Sequence, residues 1–97
     1  MSCYFVIDTY IDLAKGREEY DEYIELVKPI VEAHKGEYLV RSENIIPLSE
    51  ARNLQRIIII RFPSKKELFD CFSSQEYRNI QEKRISSVDA RAVIVEE

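Results

Sequence analysis

Arg41, Arg56 and Arg84 are the side chains best suited to chemistry in this chain, together with Asp8 and Tyr10 near its start. A guanidinium stays charged at any physiological pH and pairs with carboxylates through two parallel hydrogen bonds. Three of them converging on one place would hold an anionic small molecule. Spread apart, they would instead form structural and surface ion pairs that tie helix ends to strands. His34 is the only histidine, and it also carries two readings. Beside Tyr38 or Tyr77 it would serve as a general base. At a helix C-terminus its positive form would cap the helix, a gain of about 0.3–1 kcal/mol. The catalytic candidates are therefore His34, Tyr77 and Asp8, and the ligand-binding candidates are Tyr10, Arg41, Arg56 and Arg84.

Other reactive residue types lack the company that chemistry needs. Cys3 and Cys71 are far apart, with no C-x-x-C and no histidine spaced to complete a metal site. They are expected to be free, buried thiols. Ser64 and Ser73 have no base placed for them and read as helix caps. There is no Gly-rich phosphate loop, no H-E-x-x-H and no dinucleotide fingerprint. No cofactor and no metal are expected, and nothing in the sequence decides whether the protein is an enzyme.

The 97 residues make one domain, spanning 1–97. The net charge of −4 is the reverse of the basic excess that neutralises phosphates, which argues against a nucleic-acid partner. No basic region precedes the N-terminal apolar stretch, so a signal peptide is not expected. The longest aliphatic run is Ile57 to Ile60, far short of the ~20 residues of a membrane helix. The expected location is the cytoplasm.

Periodicity lays out the elements on which these residues sit. Cys3 to Ile11 is β-branched and aromatic and reads as a strand, with Phe5, Ile7, Thr9 and Ile11 on one face and Tyr4, Val6, Asp8 and Tyr10 on the other. A helix comes next, from Arg17 to Lys35, its stripe running through Tyr20, Tyr23, Ile24, Val27, Ile30, Val31 and His34. Tyr20 and Tyr23 are read as core. Pro29 should kink this helix, and Gly36 should end it at C′. Glu37 to Arg41 is a second strand and residues 56–62 a third. Ser64 and Glu67 form an S-x-x-E capping box, and Ser73 and Glu76 repeat it, so the second helix breaks and restarts. Leu68, Phe69 and Phe72 face inward from the first piece. Tyr77, Ile80, Arg84, Ile85 and Val88 do so from the second. Ala90 to Val95 is the fourth strand.

The order βαββαβ gives an α+β, ferredoxin-like fold with a four-stranded antiparallel sheet in the order 4-1-3-2. It brings Asp8, Tyr10, Arg41, Arg56 and Arg84 toward one end of the sheet. Two helices cover one sheet face only. Ile58, Ile60 and Phe62 lie on one face of the third strand and Ile57 and Ile59 on the other, so a second apolar face is left over. An uncovered apolar face commonly marks a partner surface. A homodimer is expected through the sheet faces, with Ile57 and Ile59 at the interface.

Three segments carry a family resemblance. They are "YDEYIELVKPIVEAHKGEYLVR", "RIIIIRFPS" and "SSQEYRNIQEKR". In this order the chain resembles domain-of-unknown-function family 1330, of the dimeric α/β-barrel superfamily, from Tyr4 to Glu96. It departs where the family often has Gly-Gly (Lys35-Gly36 here), an acid (Arg61) and a Trp (Phe72). The resemblance implies sheets packed face to face in a dimeric α/β barrel, and no established activity. The expected function is the binding of a small organic molecule, an anion suiting the arginines best, in or beside that barrel. A non-catalytic homodimeric scaffold or regulatory module is the alternative. An RRM-like RNA binder fails because its third strand would need aromatic and Gly residues where this chain has "RIIIIRF".

Overall fold

The computed structural model describes residues 2–97. The elements run β1 (Cys3–Tyr10), α1 (Glu18–Ala33), β2 (Glu37–Ser42), β3 (Arg56–Phe62), α2 (Lys65–Phe72), α3 (Gln75–Arg78), α4 (Gln81–Ile85) and β4 (Asp89–Glu96), with single 3₁₀ turns at Leu13–Lys15 and Glu50–Arg52. The sheet order is β2-β3-β1-β4, and every neighbouring pair is antiparallel. This is the α+β, ferredoxin-like arrangement expected from the element order.

The isoleucine run resolves by strict alternation. Ile58, Ile60 and Phe62 are 8%, 2% and 0% exposed and face the helices, whereas Ile57 and Ile59 are only partly covered. Ile58, Ile60 and Phe62 stand opposite Ile7, Phe5 and Cys3 on β1. Tyr20, Tyr23, Val27 and Val31 of α1 close over them, with Leu68 and Cys71 of α2 and Tyr77 and Ile80 beyond. Each such side chain contributes about 1.5–3 kcal/mol when fully buried.

Several local expectations are corrected. The left-handed residue after α1 is Lys35, at φ 67°, and not Gly36. Gly36 N–H donates to the Val31 carbonyl at 2.9 Å and Lys35 N–H to that of Glu32 at 3.1 Å, a Schellman pair. Gly36 is needed for space, since a Cβ there would lie 2.4 Å from Val31 Cγ1. Pro29 does lie inside α1 as expected, exposed, with the helix running on to Ala33. Ser64 makes no backbone capping bond; its hydroxyl donates to the Glu67 carboxylate instead. The second cap is Ser74, whose Oγ accepts from Tyr77 N–H at 3.2 Å, while Ser73 closes α2. Phe69 and Ile85 are 55% and 53% exposed, because α2 turns Leu68 and Cys71 inward and α4 turns Arg84 inward instead.

Cys3 and Cys71 are buried and free. Burial pushes the Cys71 thiol up to about 11, so it is inert at neutral pH. Among the described residues no cluster could hold a metal ion, and no helix is long and apolar enough to cross a membrane.

Candidate functional site

The helix side of the sheet carries a cleft over β1 and β4. Its floor is Phe5 and Ile7 of β1 with Ala90 and Ala92 of β4, and its wall is Tyr23 of α1, Tyr77 of α3 and Arg84 of α4. Ala90 and Ala92 are small, and β4 is an edge strand of the sheet, so space is left above them. The volume is about 150 Å³. A second, narrow void of about 20 Å³ continues inward past Ile7, Tyr23 and Arg84 toward Phe72, Tyr38 and Thr9.

Each polar group of this wall is held by its element. Tyr77 is fixed by the start of α3, whose Ser74 cap binds the Tyr77 N–H itself. Arg84 comes from α4, the next helix, and reaches the same hydroxyl. The Tyr23 and Tyr77 hydroxyls are 2.9 Å apart, and Arg84 Nε donates to the Tyr77 oxygen at 3.3 Å. Tyr77 also meets Phe72 edge to face, with centroids 5.0 Å apart, and Phe72 packs on Phe5 at 4.6 Å. Burial, with Tyr77 as neighbour, pushes the Tyr23 phenol far above its ordinary value, so Tyr23 stays protonated. Arg84 is half-buried and enters none of the ion pairs among the described residues. The wall thus presents one positive charge, two phenol oxygens and no counter-charge.

The remaining candidates are dispersed. The sheet itself separates Asp8 and Tyr10 from the arginines, because Thr9 and its partner Arg56 point to the helices while Asp8 pairs with Ile57 and Arg91 on the opposite face. Asp8 accepts from Arg52 Nε at 2.8 Å and Nη2 at 2.9 Å, and Arg91 lies 4.5 Å over the Tyr10 ring. The convergence of five residues at one sheet end therefore does not form. His34 is the C-cap of α1 and lines neither helix-side cavity.

Arg41 and Arg56 share the helix side with Arg84 but lie at the β2 and β3 end. A bulge between Tyr38 and Val40 turns Arg41 to the same face as Tyr38, where it stacks 4.8 Å over the ring. Burial pushes the Tyr38 hydroxyl up to about 12. The Arg56 side chain is 9% exposed and donates to Glu43 at 3.1 Å. Arg17 grips the same carboxylate at 2.6 and 2.9 Å. The Nε atoms of Arg41 and Arg56 are buried without a hydrogen-bond partner. Arg61, on the open face, is matched by Glu37 at 2.7 Å.

Tyr23 is the site residue that sequence reading placed only in the core. Its position in the helix stripe gave no sign of a hydroxyl partner, which comes from a segment 54 positions away.

Solved structures of the same architecture place these observations in a wider set. A protein of unknown function from Rhodopseudomonas palustris is 16% identical with a TM-score of 0.81, over 99% of this chain and 82% of that one. A dimeric ferredoxin-like protein of unknown function from Jannaschia sp. CCS1 is 10% identical with a TM-score of 0.82, over the whole of both chains. A hydroxynitrile lyase from Passiflora edulis is 11% identical with a TM-score of 0.72, over 99% of this chain and 94% of that one. At these identities the likeness is one of fold. Among curated proteins none matches the sequence. The family model described as "Domain of unknown function (DUF1330)" matches residues 3–97, and the chain belongs to that family.

Proposed function

We propose that the protein binds a small organic molecule in the cleft between Tyr23, Tyr77, Arg84 and the floor of β1 and β4. The observation that carries this reading is Arg84, a half-buried guanidinium beside a void with only phenol oxygens for company. A charge kept partly out of water without a counter-ion costs stability. A guest that supplies the missing partner offsets that cost. Of the arginines singled out by sequence, the ligand-binding role falls to Arg84. The Passiflora edulis lyase lends the reading an analogy of fold, which is a weaker warrant than the site.

The test is a screen of small acids and neutral compounds by thermal shift, because a guest that binds only the native state raises its stability. Ala92→Phe would fill the cleft from its exposed floor. Hits are expected with the unmodified protein and should be lost with Ala92→Phe. Hits that persist in the filled variant would place binding elsewhere.

We also infer that the working unit is a homodimer. The open face shows Val93 and Val95 at 60% and 46% exposure beside Val6, Ile57 and Ile59. The Jannaschia relative is described as dimeric. A second copy, sheet against sheet, would cover these residues. Ile59→Lys should then give a folded monomer or a weakened dimer, and Ile60→Lys an unfolded chain, since a lysine at a 2% exposed position is buried unpaired. Sedimentation of the unmodified protein as a monomer at tens of micromolar would sink the dimer.

A further inference from the structure

We infer that the guest of this cleft is a one-ring aromatic monocarboxylate, of the benzoate class, with its carboxylate on Arg84 and its ring against Phe5 and Tyr77. The inference rests on the cleft being the binding site, and it adds the chemical class. Four observations carry it.

The first is charge. Arg84 is a single unmatched guanidinium, and such a group takes one carboxylate through paired hydrogen bonds. A dianion would bring a second charge for which the wall has no cation. The second is size. The cleft holds about 150 Å³, and an apolar cavity of ~150 Å³ admits a benzene ring. A fused second ring would have to project out past the exposed Ala92. The third is the lining. Phe5 on the floor and Tyr77 on the wall bring aromatic rings to the cleft, with Phe72 behind them, and the alanines of the floor leave the space beside those rings open. Offset and edge-to-face contacts with these rings favour an aromatic guest over an aliphatic one.

The fourth is the hydroxyl pair. Tyr23 and Tyr77 own two phenol protons, and one of them serves the bond between the two oxygens. Arg84 Nε already donates to Tyr77. When Tyr23 donates to the same oxygen, the proton of Tyr77 is the one left for a guest. Either way one hydroxyl donor remains, beside the guanidinium, for the second carboxylate oxygen or for an ortho substituent.

The experiment is a titration followed by amide NMR with benzoate, benzyl alcohol, cyclohexanecarboxylate, phthalate and 2-naphthoate. Benzoate should perturb the resonances of Phe5, Tyr77, Ala90 and Ala92 and bind at least about tenfold more tightly than benzyl alcohol, phthalate or 2-naphthoate. Cyclohexanecarboxylate should fall between. Arg84→Gln should weaken benzoate by about tenfold or more and leave benzyl alcohol unchanged, and Arg84→Lys should recover part of the loss. The class is overturned if benzoate binds no better than the neutral or two-ring probes, or if Arg84→Gln leaves its affinity unchanged. Ala92→Phe separates the two levels of inference. Sensitivity of any other probe to that variant, without a preference for benzoate, keeps the cleft and rejects the class. Insensitivity of every probe to it rejects the cleft.

Discussion

Arg56 and Arg84 lie on the same side of the same sheet, and each is removed in large part from water, yet their surroundings differ in kind. Arg56 donates to Glu43, which Arg17 holds at the same time. Its charge is balanced, and neither helix-side cavity includes it. Arg84 has Tyr77 and Tyr23 beside it, no carboxylate among the described residues, and about 150 Å³ of room. A matched charge in packed surroundings holds the fold together. An unmatched charge beside a void is a place where the fold accepts a cost that something else must offset. The presence of a buried arginine therefore says little about function. The group that stands opposite it, and the space beside it, say much more.

The largest effect is expected where the charge is balanced. Glu43→Gln would leave Arg56 buried with a neutral partner and would leave Arg17 with Asp21 as its one carboxylate. Loss of one partner from a buried pair costs roughly 3–5 kcal/mol, and Glu43 is 38% exposed, so about 2 kcal/mol is the expected loss. In a domain of this size that is a fall of roughly 10 °C in Tm. Acid should reveal the same contact. Hydrogen bonds from Arg17, against the opposing pull of burial, hold the Glu43 carboxyl below its ordinary value of 4.5. A depressed carboxyl contributes stability that is present above pH 4.5 and lost as the pH falls through the folded value. The gap between the unmodified protein and Glu43→Gln should therefore be full at neutral pH and shrink below pH 4.5, as measured by urea denaturation. A gap that does not change with pH would mean that the Glu43 charge is not what Arg56 needs.

The contrast between the arginines was only partly legible in the sequence. Alternation along "RIIIIRF" placed Arg56 with Ile58 and Ile60, and alternation along "CYFVIDTY" placed Asp8 and Tyr10 opposite Thr9. Those two patterns already held the reason why Asp8 and Tyr10 do not join the arginines. Arg41 was not readable in this way, because the bulge between Tyr38 and Val40 inserts a residue and reverses the parity of the rest of β2. Nor was the Tyr23–Tyr77 contact. Helical spacing assigns each tyrosine to an inward face, but which inward groups meet depends on how α1 and α3 cross, and that is settled by packing across the whole sheet. The caps were shifted by small amounts for a similar reason. Ser73 and Ser74 are both able to cap, and the geometry of the α2 end selected the second.

The smallest effect is expected where the charge is unmatched, and it bears most on the function. Arg84→Met keeps the length of the aliphatic stem, fills some of the same wall and removes the lone cation. It loses one hydrogen bond to Tyr77, which at 3.3 Å is long. Replacing a buried charged group by an apolar one of similar volume is often neutral or stabilising. The denaturation midpoint should thus stay within about 1 kcal/mol of the unmodified protein, or rise. The Tyr23–Tyr77 bond does not depend on the guanidinium and should persist. A fold that tolerates this change while Glu43→Gln costs it about 2 kcal/mol would show that Arg84 is retained for something other than stability. A loss as large as that of Glu43→Gln would instead make Arg84 a structural residue like Arg56, and the cleft would then lose its strongest mark of function.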